Sequence, residues 1–211
     1  MKQLIIIGAS AMGRETCFYA QEMPHSLRVK GFLDSRKEIL DDYEGYPPIL
    51  GDVQSYQVQA GDVFVCAVGD PYVKMAYVKA MVEKGGEFVS IIHPTAYVAP
   101  NAIIGVGSII APNSCISADV SLGEHSIINV NASVSHDSVI GRGSSISPGC
   151  NIAGWCQIGE SAFLGTGSVV IPHIVLGDKG RIYVAAGAVV TQSFGKGLIA
   201  GVPAKLKKEM M

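Results

Sequence analysis

From Tyr97 to Gly180 the chain reads YVAPNA IIGVGS IIAPNS CISADV SLGEHS IINVNA SVSHDS VIGRGS SISPGC NIAGWC QIGESA FLGTGS VVIPHI VLGDKG, fourteen consecutive blocks of six residues with no slip in register. The second position of all 14 blocks, from Val98 through Val134 and Ile140 to Leu176, is Val, Ile or Leu. The sixth is small in 12 of the 14, Val120 and Ile174 being the exceptions. One aliphatic to bury and one tight corner per six residues is the pattern of a parallel β-helix. Each block forms a short flat face, and stacked coils bury a continuous aliphatic column. Three blocks make one triangular coil of 18 residues. Beyond Gly180 the register is ambiguous, because Ile182 keeps the old spacing whereas Val184 and Val190 hold one offset by two residues. This predicts an extra residue pair in a turn, one last coil and a tail containing GVPAK.

Composition divides at the same place. Residues 97–180 hold 7 charged side chains in 84, against 27 in the other 127. The 25 Gly in 211 residues are nearly twice the usual share of about 7%. A net charge of -2, with no basic cluster before Lys205, Lys207 and Lys208, leaves no electrostatic footprint for nucleic acid. No run approaches the roughly 20 apolar residues of a membrane span. MKQLIIIGAS lacks the longer apolar stretch and cleavage site of a signal peptide, so a mature start is expected there. The five cysteines, Cys17, Cys66, Cys115, Cys150 and Cys156, are odd in number and without CxxC spacing. They suit free thiols in a reducing cytoplasm.

Residues 1–93 alternate apolar runs with helical stretches: Leu4 to Ile7, a helix from about Gly13 to Glu22, Val29 to Leu33, Val63 to Val68, a helix from about Tyr72 to Lys84, and Phe88 to Ile92. This predicts a Rossmann-like α/β domain over 1–93 and a β-helix domain over 94–211, divided at His93-Pro94. Gly8-Ala9-Ser10-Ala11-Met12-Gly13 joins the first strand to the first helix, where free N–H groups and the positive dipole end suit a phosphate. Asp34 follows 21 residues after Gly13, where a dinucleotide fold places a carboxylate for a ribose hydroxyl. Ser10 replaces the middle glycine, and one half-size unit lacks the second half of a dehydrogenase fold.

Of the five histidines, His25 falls in a predicted loop and His93 at the domain junction, without a patterned neighbour. His125, His136 and His173 follow the buried aliphatics of their blocks by two or three positions and are expected to point outward. His136 differs in being followed by Asp137, and a carboxylate partner can orient an imidazole as a general base requires. Catalytic zinc commonly takes three protein ligands plus water. The three outward histidines lie 11 and 37 residues apart, without the close pair such a site would use, so no metal is expected. Cys150 and Cys156 end their blocks, where small side chains fill corners.

GASAMG, FLDS, IIHPTAYV, NASVSHDSVIG and GVPAK, in that order, resemble the sugar O/N-acyltransferase family of hexapeptide proteins. That family includes nucleotide-amino-sugar N-acetyltransferases and the sialic acid O-acetyltransferase type. The resemblance covers essentially the whole chain. It implies a left-handed β-helix, a homotrimer with active sites at subunit interfaces, acetyl-CoA as co-substrate in the cleft between coils, and a sugar nucleotide on the N-terminal domain. It makes His136 the catalytic base and Asp137 the residue that orients it, and places Asn129 near the sugar. It also implies that the Gly154 N–H, one coil beyond His136, contacts the thioester oxygen. Ser145, Thr166 and Ala186 match the acetyl-CoA wall. Gly8, Ser10, Ala11, Met12, Asp34 and Ser35 match the sugar-nucleotide site. Many relatives have His at the place of Met12 and a second Asp at that of Ser35, which leaves UDP, dTDP and GDP open. The implied reaction is acetylation of the amine of a nucleotide-linked amino-deoxy sugar for bacterial surface-glycan synthesis. O-acetylation of a sialic-acid-like or other sugar hydroxyl stands beside it, as does a non-catalytic trimeric nucleotide-sugar-binding scaffold.

Overall fold

The computed structural model describes residues 2–23 and 27–210; His25 lies outside the described residues. The N-terminal unit runs β1 (Lys2–Ile7), α1 (Ala11–Glu22), β2 (Leu27–Leu33), β3 (Ile49–Gly51), β4 (Asp62–Cys66), α2 (Pro71–Glu83) and β5 (Glu87–Phe88). The five strands form a parallel sheet in the order β3-β2-β1-β4-β5. Leu4, Ile5, Ile6 and Ile7 of β1 and Val63, Phe64 and Val65 of β4 are buried throughout, as a sheet covered on both faces requires. The order reverses between β1 and β4, so a crevice opens beyond their carboxyl ends, where ligands of such sheets bind.

The remaining strands form the parallel β-helix that the six-residue register predicts. Its three sheets begin at Ile91–Ile92, Tyr97–Val98 and Ile103–Ile104, and successive strands pair 18 residues apart, as Ile127 with Ser145 and Ile128 with Ile146. Solenoid pairing thus starts at Ile91–Ile92, which joins Ile109–Ile110. The second position of each block points inward: Ile116, Leu122, Ile128, Val134, Ile140, Ile146 and Ile152 stack into one core. Sixth-position serines also tie the coils. Ser144 Oγ donates to the Gly159 carbonyl at 2.9 Å and accepts from the Ala162 N–H at 3.1 Å, which satisfies buried backbone groups at the corner. The expected residue pair is present, since Phe163 pairs with Tyr183, twenty residues on. Gly197–Ala200 and the antiparallel Lys205–Lys208 close the last coil.

Fifth positions form the turns, and many adopt the left-handed conformation, among them Asn113, Asp119, Asn131, Asp137, Gly143 and Gly149. Such turns favour Gly, Asn and Asp, which reach positive φ at little cost. The N-terminal unit covers one face of the solenoid: the outward-facing Ile109 and Ile127 are buried beside α1, whereas Ile103 and Val139 on another face are exposed. Among the described residues no helix is long and apolar enough to cross a membrane.

Candidate active site

Residues 135–138 turn the chain between the strands Ser133–Val134 and Val139–Ile140. His136 Nδ1 lies 2.8 Å from Asp137 Oδ2 on this solvent-open corner. The pairing occupies one ring nitrogen and leaves Nε2 for a second partner. Gly154 lies one coil on, and a Cβ there would come within 2.6 Å of His136 Cε1 and 2.8 Å of Nε2. Only hydrogen at this α-carbon leaves room for the ring. Among the described residues the Gly154 N–H has no protein acceptor, while its carbonyl accepts from His173 N–H at 3.1 Å. An imidazole nitrogen and an unused donor therefore adjoin each other.

Trp155 follows Gly154 at the same corner, with its ring centroid 4.6 Å from that of His136 at an interplanar angle of 89°. His173, one coil further, stacks on the indole at 5.1 Å and 3°. Neither contact follows from the spacing. The signal available was the single tryptophan of the chain at a block position dominated by Gly, Asn and Asp.

The second group of expected residues meets at the sheet crevice. Gly8, Ser10, Asp34 and Ser35 line a cleft of about 210 Å³ together with Arg36, Gln54, Val68 and Tyr77. Gly8 has φ +93, and Gly13 brings the helix so close to the Gly8 carbonyl that a side chain there would collide with it. Ala11 and Met12 lie outside this lining; Met12 turns to the solenoid, where Asn129 Nδ2 stands 3.7 Å from its Sδ.

Asp34 departs from its expected role. Its carboxylate already accepts from the Ala9 N–H at 3.0 Å, from Arg36 Nε at 2.9 Å and Nη2 at 2.8 Å, and from the Arg36 N–H at 3.0 Å. Burial works to raise its pKa, but the Arg36 and Ala9 hydrogen bonds prevail and hold it below the ordinary value. The cleft thus offers the spare donors of Arg36 where the sequence suggested a free acceptor.

Two further expectations are corrected. Ser145 is not on an open wall: it is buried under α2, and Lys74 Nζ donates to its hydroxyl at 2.9 Å and to the Ser144 carbonyl at 3.2 Å. His125 does not reach solvent, because its corner faces the N-terminal unit; its ring meets Phe88 edge-on at 4.8 Å. Burial first, then Arg142 and Lys74, push its pKa down to about 4. His93 is structural, bonded to Glu22 at 3.0 Å and Thr95 at 2.9 Å. Thr166 and Ala186 are exposed on neighbouring coils, linked by the Gly187 N–H to the Thr166 carbonyl. They share the Asn129 corner, at the opposite end of their sheet from the His136 corner. Among the described residues no group of three or more His, Cys, Asp or Glu side chains is placed to hold a metal ion.

Residues 3–81 match the PglD N-terminal domain family. The chain carries a PglD-type N-terminal domain. Nearly its whole length is similar to solved acetyltransferases. The acetyltransferase domain of PglB from Neisseria gonorrhoeae FA1090 is 27% identical, with a TM-score of 0.85 over 98% of this chain and 100% of that one. That domain is also known in complex with acetyl coenzyme A. PerB from Caulobacter crescentus, in complex with CoA and GDP-perosamine, is 28% identical with a TM-score of 0.86 over 98% of each chain. WeeI from Acinetobacter baumannii AYE, at 24% identity and a TM-score of 0.82, shares the fold. The protein is an acyltransferase with the left-handed β-helix fold that these structures share. In it, the PglD-type domain contributes the Arg36 cleft and the solenoid the His136 corner.

Proposed function

We propose that the protein is a cytoplasmic, acetyl-CoA-dependent N-acetyltransferase acting on the amine of a nucleotide-linked amino-deoxy sugar in bacterial surface-glycan synthesis. The nucleotide is UDP, dTDP or GDP. The observation that carries this reading is the His136–Asp137 pair at 2.8 Å, seated on Gly154 at an open corner. The ligands of the PglB and PerB structures, acetyl-CoA in one and CoA with GDP-perosamine in the other, support it.

In this reading His136 Nε2 accepts a proton from the amine as nitrogen attacks the thioester carbonyl. Such assistance contributes about 10² to 10⁴-fold. Asp137 holds Nδ1 so that the lone pair stays on Nε2. The unused Gly154 N–H donates to the oxygen that gains charge, a contact worth roughly 3 kcal/mol in comparable sites. The C–N bond forms, the C–S bond breaks, and the imidazolium returns its proton to the departing thiolate, without a covalent enzyme intermediate. Gly8, Ser10, Ser35 and Arg36 hold the nucleotide, and Met12 and Asn129 approach the sugar. Thr166 and Ala186 line the acetyl-CoA wall. Because these last two lie at the other end of a sheet from His136, a homotrimer with sites between subunits would bring the corner of one chain to the wall of the next.

A panel of UDP-, dTDP- and GDP-linked amino sugars and their hydroxy counterparts, assayed with acetyl-CoA for thiol release, tests the reading. Release with an amino sugar, lost in His136→Ala, is expected, with a trimeric mass by light scattering. Release confined to hydroxy sugars would establish O-acetylation instead. Failure of acetyl-CoA to bind by calorimetry would leave only a nucleotide-sugar scaffold.

A further inference from the structure

An imidazole on an exposed corner is not fixed by one adjacent carboxylate. The His136 and Asp137 side chains are 47% and 41% accessible, and pairs this open to water are weakly held. The ring has nevertheless a second constraint. The Trp155 indole meets it at 89°, a preferred geometry for two aromatic rings. The Trp155 backbone N–H also donates to the His136 carbonyl at 3.0 Å, binding the two corners together.

Trp155 is an unusual occupant of its place. Its φ is +55, a left-handed conformation that is an outlier for a bulky side chain. The same column holds Asp119 and Asp137 in preceding coils, residue types that suit such a turn. The residue is 51% exposed, so burial in the core does not account for it. What the residue does have is contact with rings on both adjacent coils, His136 on one and His173 on the next.

We infer that Trp155 is a positioning residue for His136: the indole, braced by His173, fixes the plane of the imidazole so that Nε2 stays over Gly154. The inference rests on the reading of His136 as the base, and goes beyond it in assigning the orientation to an aromatic ladder rather than to Asp137 alone. Trp155 does not line the N-terminal cleft, and its assigned role runs through the His136 ring. Its loss should lower kcat while leaving both KM values in place.

The test uses the full chain, acetyl-CoA and the amino-sugar nucleotide turned over fastest in the panel above. Trp155→Ala should lose roughly tenfold in kcat, with both KM values within about twofold, and Trp155→Phe should recover most of the loss. His173→Ala, which removes only the brace, should fall between wild type and Trp155→Ala and serves should the larger truncation not fold. Carbon-13 relaxation at histidine Cε1, with the His136 signal assigned from its loss in His136→Asn, should show a mobile ring in Trp155→Ala and an ordered one in wild type. Wild-type kcat in both alanine variants with an ordered ring, or a loss confined to KM, overturns the inference. Full turnover by His136→Ala defeats the catalytic reading instead, and the relaxation measurement still reports whether the indole orders the ring.

Discussion

The α-carbon of Gly154 supports the imidazole of His136: an added Cβ would meet Cε1 at 2.6 Å and Nε2 at 2.8 Å. The backbone of Gly154 is not in the left-handed region, so alanine fits its conformation and conflicts only with the ring. Because that ring is on an exposed corner, it can swing away. Gly154→Ala should therefore fold with a melting temperature within a few degrees of wild type, yet lose about 10²-fold in kcat as the proposed base leaves its place. Gly141→Ala provides the contrast, since there the new Cβ would meet the backbone of Gly159 and Glu160. Thermal melting and steady-state kinetics of the two variants separate a positional effect from a folding one.

Arg36 and Asp34 form a bidentate pair at the cleft proposed to hold the nucleotide. Removing the guanidinium with Arg36→Ala takes away cleft donors and leaves Asp34 as a charge facing an anionic ligand. The expected outcome is a KM for the sugar nucleotide raised by about tenfold or more, as for loss of a charge-assisted contact, with the KM for acetyl-CoA and kcat little changed. Initial-rate kinetics with each substrate varied in turn check it. A change in kcat alone would place Arg36 outside the binding cleft's work.

Lys74 joins α2 to the solenoid through Ser144 and Ser145. Burial pushes its pKa down to about 7, against weaker opposing effects of Cys66 and Asp70. A lysine whose folded pKa lies below its unfolded value binds fewer protons when folded, so stability rises with pH between about 7 and 10.5. The full cost of burying the charge remains below that window. Lys74→Met should flatten this rise and leave the protein at least as stable at pH 6, by an amount on the order of a few kcal/mol, because an apolar chain of similar volume replaces a desolvated charge. Urea unfolding across pH 6 to 10 measures it.

The solenoid was legible because its information is local and repeated. An aliphatic at every second block position specifies an inward stack, and even the two-residue insertion showed as an offset of Val184 and Val190. His136 and Gly154 could be related by counting one coil. Other relations could not be counted. Ser145 has the same outward-facing position as Ser133 on another face, yet one is buried against Lys74 and the other is not. His125 and His173 are both fifth-position residues, but Phe88 covers only the first. The Asp34 carboxylate was identified at the right place in the cleft, while its pairing to Arg36 depends on side-chain geometry two residues away.

The sequence by itself determined the coil, its period, the corner that carries His136 and Asp137, and the Gly-rich turn of the N-terminal unit. These follow from steric rules that act within a block or between residues 18 apart. Only the tertiary structure decided which of three periodically equivalent faces the N-terminal unit covers, which polar groups that burial removes from solvent, and which side chains surround His136. A hexad repeat treats its three faces alike. Docking one α/β unit against one of them breaks the equivalence, burying Lys74 and His125 while leaving the His136, Trp155 and His173 corner open.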